Sequence, residues 1–183
     1  HSLIGGIMGA AIIGLGFETL VYGGLTKVFA GIIIAPIGGI AFGMALAGII
    51  IAVFARRRPA VVNRTFGRLS IISSAWLALT HGANDGQKTM GIIVLILFSA
   101  DLISEIHMPL WVIVAAASAM GLGTFFGGYK VIKTLGLKIT RLKPYQGFAA
   151  QTGGGMMLAI FAVLGIPAST THAITGSVMG AGA

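Results

Sequence analysis

The chain has 183 residues, of which 56% are hydrophobic and 9% charged, with a mean hydropathy of +0.99. That balance excludes a soluble globular domain, and several apolar runs approach or pass the roughly 20 residues that a membrane-spanning helix needs. The net charge of +8 does not point to nucleic acid, because the basic residues cluster between apolar runs, where membrane topology accounts for them; the lack of cysteine rules out a disulfide framework.

Residues 1–17 are apolar and rich in glycine, and read as the back part of a spanning or re-entrant element. Glu18 to Lys27 reads as a short polar turn. Val28 to Ala55 is a long apolar run interrupted by Pro36 and Gly38-Gly39, long enough to span once with a tilt or kink. Arg56-Arg57-Arg58, Arg64 and Arg68 form a basic loop, expected on the cytoplasmic side by the positive-inside rule. The chain begins and ends inside apolar, glycine-rich runs, so it is expected to be a piece of a longer polypeptide.

Leu69 to Ala100 is the central segment. As one straight helix it would be about 48 Å long, more than the roughly 30 Å hydrocarbon core. Its middle reads His81-Gly-Ala-Asn84-Asp85-Gly86-Gln87-Lys88-Thr-Met-Gly91. Charged groups cost roughly 2.5–3.5 kcal/mol each at the centre of a membrane helix, so they normally face a protein interior or a watery cavity and mark a substrate or ion path. Gly82 and Gly86 flank the polar residues, which predicts a broken helix whose second half is capped by Asn84 or Asp85.

Asp101 to Met108 lacks Lys and Arg and is expected outside, as a solvated turn. Pro109 to Tyr129 is the next span. Lys130, Lys133, Lys138, Arg141 and Lys143 form a second basic loop, again cytoplasmic. Tyr145 to Gly165 re-enters the membrane through Gln151-Thr152-Gly153-Gly154-Gly155. Pro167-Ala168-Ser169-Thr170-Thr171-His172 then breaks one helix and opens another.

The two ends of the chain resemble each other. Residues 1–10 and 172–181 share five of ten positions: His1 with His172, Gly5 with Gly176, Met8 with Met179, Gly9 with Gly180 and Ala10 with Ala181. Repeated halves with broken helices are the sequence signature of secondary transporters. The fold expected is therefore an all-α membrane protein: a polytopic helical bundle with broken or re-entrant helices, part of an inverted-repeat secondary transporter. Residues 1–17 form the tail of a first repeat, 18–68 a spanning helix and basic cytoplasmic loop, and 69–183 the second repeat.

The stretches at 81–91 and 167–172 together resemble the two signatures of the inorganic phosphate transporter (PiT) family, in its bacterial form. The resemblance covers the whole chain. It implies the end of one repeat and most of the next, with the remaining N-terminal half of the transporter as a partner, inorganic phosphate as substrate, and a bacterial inner (plasma) membrane as location. Membrane lipid is the other expected partner, and a homo-oligomer is compatible with the sequence. The resemblance implies no catalysis and no cofactor beyond a co-transported proton or sodium ion.

Phosphate needs many hydrogen-bond donors and a local positive potential, which helix N-termini supply. Two half-helices, starting near Asn84 and near Thr171, would aim their amides at one point. Asn84, Gln87, Lys88, Ser169, Thr170 and Thr171 are the expected substrate-binding residues. Asp85 would repel an anion unless it carries the coupling cation. Ser169 and Thr171 would add oxygens there, and Asp85 is a metal ligand only if that cation is sodium. Lys88 sits four residues from Asn84, on the same helix face. His81 and His172 read as packing or helix-end residues.

Three other functions compete. Another tetrahedral oxyanion such as sulfate would suit the same architecture. A purely structural membrane subunit would tolerate loss of Asp85 in transport. His81 to Gly86 also matches a short acyltransferase pattern, against which the apolar flanks and the second motif argue.

Overall fold

The computed structural model describes residues 2–134 and 142–183, with the side chains of 129–134 left aside. The elements run α1 (Ser2–Leu15), a short 3-10 turn (Phe17–Thr19), α2 (Tyr22–Phe54), α3 (Pro59–Ser99), α4 (Leu110–Thr134), α5 (Pro144–Leu164) and α6 (Thr170–Gly182). The chain is thus an all-helical membrane protein. Among the described residues, 3 helices are long and apolar enough to cross a bilayer: α2, α4 over Leu110–Gly128, and α5. Lys138 and Arg141 of the second basic loop lie outside the described residues.

The helix ends follow local chemistry. Proline opens α3 at Pro59 and α5 at Pro144, where its missing N–H costs nothing. The backbone N–H of Lys143 donates to Gln146 Oε1 at 2.9 Å, fixing the start of α5. At its other end Gly165 adopts a left-handed conformation (φ 62°) and Pro167 follows, the usual way to stop a helix. Ser169 then caps α6, its Oγ accepting from the His172 N–H at 3.4 Å. Pro109 precedes α4, its carbonyl accepting from Val112 at 3.0 Å.

The long apolar run is one helix as expected, α2, with Pro36 inside it; it is 33 residues long and takes in Tyr22 to Lys27 of the expected polar turn. More consequential, α3 is not broken at Gly82 and Gly86; it is one helix of 41 residues. Two glycines cost about 1 kcal/mol each in a helix, which leaves the ladder intact. Side chains also stitch across the weak turns. His81 meets Asp85 at i+4, Lys88 meets Asp85 at i+3, and Asn84 Nδ2 donates to the Thr80 carbonyl at 3.0 Å. Asn84 and Asp85 therefore cap nothing.

The core lies between α2, α5 and α6, with α3 against α5 and α4 against α3. It is made chiefly of small residues. One cluster joins Ala35, Met157, Leu158, Phe161, Ala168 and Ala173; another joins Ala47, Ile50, Phe66, Ala149, Ala150 and Ala181. The large apolar side chains point the other way: Ile13, Val163 and Phe125 are 80% exposed or more. In lipid there is no hydrophobic drive between helices, so close approach of backbones replaces it. The α2–α6 contact shows this. A Cβ on Gly39 or Gly43 would strike the Ala173 or Ser177 backbone, and one on Gly176 or Gly180 would strike the carbonyls of Pro36 and Ile40. Ser177, fully buried there, satisfies its hydroxyl on the Ala150 carbonyl at 2.8 Å.

Candidate functional site

The packing of α3 and α6 on α5 brings the two polar stretches together, although 85 residues separate Asp85 from Thr170. The Asp85 carboxylate is the hub. Oδ2 lies 3.0 Å from His81 Nε2, and Oδ1 lies 3.0 Å from Lys88 Nζ. Thr170 Oγ1 donates to the same carboxylate, at 3.1 Å to Oδ2. Lys88 also donates to the Ala168 carbonyl at 2.8 Å, tying α3 to the loop before α6.

That geometry leaves the carboxylate electrically compensated. Its charge is held by the ammonium of Lys88, so an anion arriving nearby meets a neutralised pair. Lys88 has three donors and spends two, on Asp85 and Ala168. Its ammonium occupies a two-oxygen cradle formed by Asp85 Oδ1 and the Ala168 carbonyl.

Two cavities lie beside this cluster and share its Lys88; Asp85 lines neither. The larger, about 440 Å³, is lined by Gln87, Lys88, Ser169 and Thr170 at its polar end and by Ile4, Ile7, Ile32 and Leu95 along its apolar walls. The smaller, about 260 Å³, is bounded by Asn84, Gln87, Lys88, Phe161 and Pro167. Gln87 and Lys88 belong to both and stand between them.

The expected residues are distributed unevenly. Gln87, Lys88, Ser169 and Thr170 reach the larger cavity. Asn84 is buried and donates to the carbonyls of Thr80 and Leu158, at 3.0 and 3.4 Å, so its amide hydrogens are engaged within the helix packing. Thr171 is exposed and lines neither cavity. Since α3 is continuous, the amides of 84–88 lie within the helix ladder; of the two expected N-termini, only that of α6 is present. His81, expected as a packing or helix-end residue, instead pairs with Asp85, and the Ala168 carbonyl joins the cluster without having been foreseen. The i,i+4 spacing of His81 to Asp85 was a legible signal, whereas a backbone carbonyl such as that of Ala168 leaves none.

With that geometry in place, comparison with known proteins is decisive. Residues 1–183 match the phosphate transporter family throughout. The chain belongs to that family. A probable low-affinity inorganic phosphate transporter of Rhizobium meliloti (strain 1021) is 46% identical over 186 residues, covering 100% of this chain and 55% of the relative. A protein of the same name from Bacillus subtilis (strain 168) is 41% identical over 184 residues, again 100% of this chain and 55% of the relative. A sodium-dependent phosphate transporter of Toxoplasma gondii (strain ATCC 50861 / VEG) is 36% identical over 122 residues, 64% of this chain and 14% of the relative. No solved structure matches the chain at a significant level. The chain spans about half the length of the curated bacterial relatives it matches.

Proposed function

We propose that this chain forms roughly half of a cation-coupled secondary transporter of inorganic phosphate in a bacterial plasma membrane. The observation that carries the reading is the Asp85–Lys88–Thr170 cluster, whose Lys88 lines two cavities. It places a carboxylate, an ammonium and a helix N-terminus at one point inside an apolar bundle. Phosphate binds at the α6 N-terminus through the Ser169 hydroxyl, with Gln87 and the spare Lys88 donor completing the shell, and the Thr170 hydroxyl joins once protonation of Asp85 releases it.

Coupling follows from the ion pair. A proton taken up by Asp85 cancels the carboxylate charge and leaves the Lys88 ammonium uncompensated. The local potential becomes more positive and the anion binds more tightly. By linkage, bound phosphate raises the affinity for the proton by the same factor. Because Lys88 already fills the oxygen cradle, the arrangement favours a proton over sodium as the partner ion. The substrate contacts are all hydrogen bonds from neutral or single-charge donors, which suits a site that must release as well as bind, and the relatives named as phosphate transporters support transport as its use.

The test is radiolabelled phosphate uptake into proteoliposomes holding the full-length parent, under imposed proton and then sodium gradients, with excess sulfate as competitor. Uptake driven by the proton gradient, abolished in correctly folded Asp85→Asn and insensitive to sulfate, is the expected result. Sodium-driven uptake would reassign the coupling ion, and block by sulfate would reassign the substrate. An unaffected Asp85→Asn would remove Asp85 from the mechanism and leave a structural role.

A further inference from the structure

At the opposite end of the bundle from α6's N-terminus, three helix ends meet around a cavity of about 410 Å³. The end of α2 contributes Ile51 and Phe54, and the turn after it Arg57. The start of α3 contributes Asn63, and the start of α5 contributes Lys143 and Tyr145. We propose that this cavity binds the headgroup of an anionic glycerophospholipid with free hydroxyls, of the phosphatidylglycerol type.

Charge is the first argument. Arg57 and Lys143 supply two cations, and no acidic residue lines the cavity among the described residues. α3 and α5 both begin here, so their N-terminal partial charges add to the positive potential. The second argument separates a lipid from a free anion. Ile51 and Phe54 make one wall apolar, and that wall continues along the face of α2 that carries Met44, Gly48, Ile51 and Ala55, all exposed. An acyl chain can lie along that face while its phosphate meets Arg57 and Lys143; inorganic phosphate gains nothing from it. Basic pockets between helices at the cytoplasmic surface suit lipid headgroups of this kind, and the two basic loops place this end there.

The hydroxyl requirement comes from Asn63. Its side-chain carbonyl oxygen is shielded from solvent and accepts no hydrogen bond among the described residues. An unmet acceptor of this kind is costly, and since Asn63 lines the cavity, a turn of its side chain toward a ligand donor would relieve it. A glycerol headgroup carries such donors next to the phosphate, whereas phosphatidic acid has none beyond the phosphate itself. Tyr145 presents a phenol at the same rim, where amphipathic rings favour the headgroup level.

The experiment is native mass spectrometry of the full-length parent equilibrated with phosphatidylglycerol, phosphatidic acid or phosphatidylcholine. Wild type should retain phosphatidylglycerol and not phosphatidylcholine. The double variant Arg57→Gln/Lys143→Gln should retain about thirtyfold less, the product of two surface basic contacts. Arg64→Gln/Arg68→Gln, which removes two cations lining a separate hollow, should leave retention unchanged within about twofold. Asn63→Ala should erase the preference for phosphatidylglycerol over phosphatidic acid. Equal retention of phosphatidylcholine by wild type would overturn the proposal without any variant. So would an equal loss in the Arg64/Arg68 variant, which would mean diffuse attraction, or displacement of the lipid by inorganic phosphate, which would mean a free-anion site.

Discussion

α1 and α6 carry nearly the same sequence pattern and have opposite surroundings. Gly176 and Gly180 of α6 are buried, and any Cβ there would strike the α2 backbone. Their counterparts in α1, Gly5 and Gly9, have nothing within 4 Å of a Cβ, and α1 buries no residue. Both segments are helical. The difference teaches that the pattern encodes a helix with a small-residue face, while the partner that receives the face comes from elsewhere in the chain. α2 offers Gly39 and Gly43 in matching register, and α6 locks onto it.

Substitutions along the two helices sharpen the contrast. The largest effect is expected from Gly180→Leu, which forces α6 off the Ile40 carbonyl. Overpacking of about 3 kcal/mol or more should remove most monodisperse protein in detergent size-exclusion profiles of the full-length parent. Next comes Asp85→Asn, which weakens the hold on Thr170 and Lys88 at the tip of α6, a tether α1 does not show. Phosphate uptake should fall by at least about tenfold while the size-exclusion profile stays that of wild type. Smaller still is Ser169→Ala. Loss of the α6 cap should lower stability by about 1 kcal/mol, read as a lower thermal midpoint. The smallest is Gly9→Leu, the mirror of the first, expected within about 0.5 kcal/mol of wild type. If Gly9→Leu proved as damaging as Gly180→Leu, the two helices would be alike in the full-length protein and the contrast would break.

Much of the architecture was legible. The bounds expected for the fifth helix, Tyr145 to Gly165, fall within one residue of α5, because Pro, Gly and hydropathy mark its ends locally. Residues 81–91 and 167–172 were expected to meet as two helix N-termini; they meet instead through side chains, Asp85 with Thr170, because α3 has no N-terminus there. The continuity of α3 was not legible. Glycine signals a weak point, but whether the helix breaks there depends on bonds across the turn, such as Asn84 to Thr80, and on α5 lying alongside. The state of Asn84 was hidden for the same reason: its partner on Leu158 is 74 residues away, and no local spacing reports it. The Lys88–Asp85 pair lay in plain view at i+3, but its second bond to Ala168 did not.

The unbroken α3 has a mechanical consequence. A helix of 41 residues is a rod of about 60 Å, twice the thickness of the hydrocarbon core. Arg64 and Arg68 ride on one part of it and Asp85 on another, with no joint between them. A broken helix would let its halves swing separately and confine any motion to the site. A stiff rod instead works as a lever: a push on the arginine-bearing arm at the membrane surface must shift Asp85, and a rearrangement at Asp85 must move the arm.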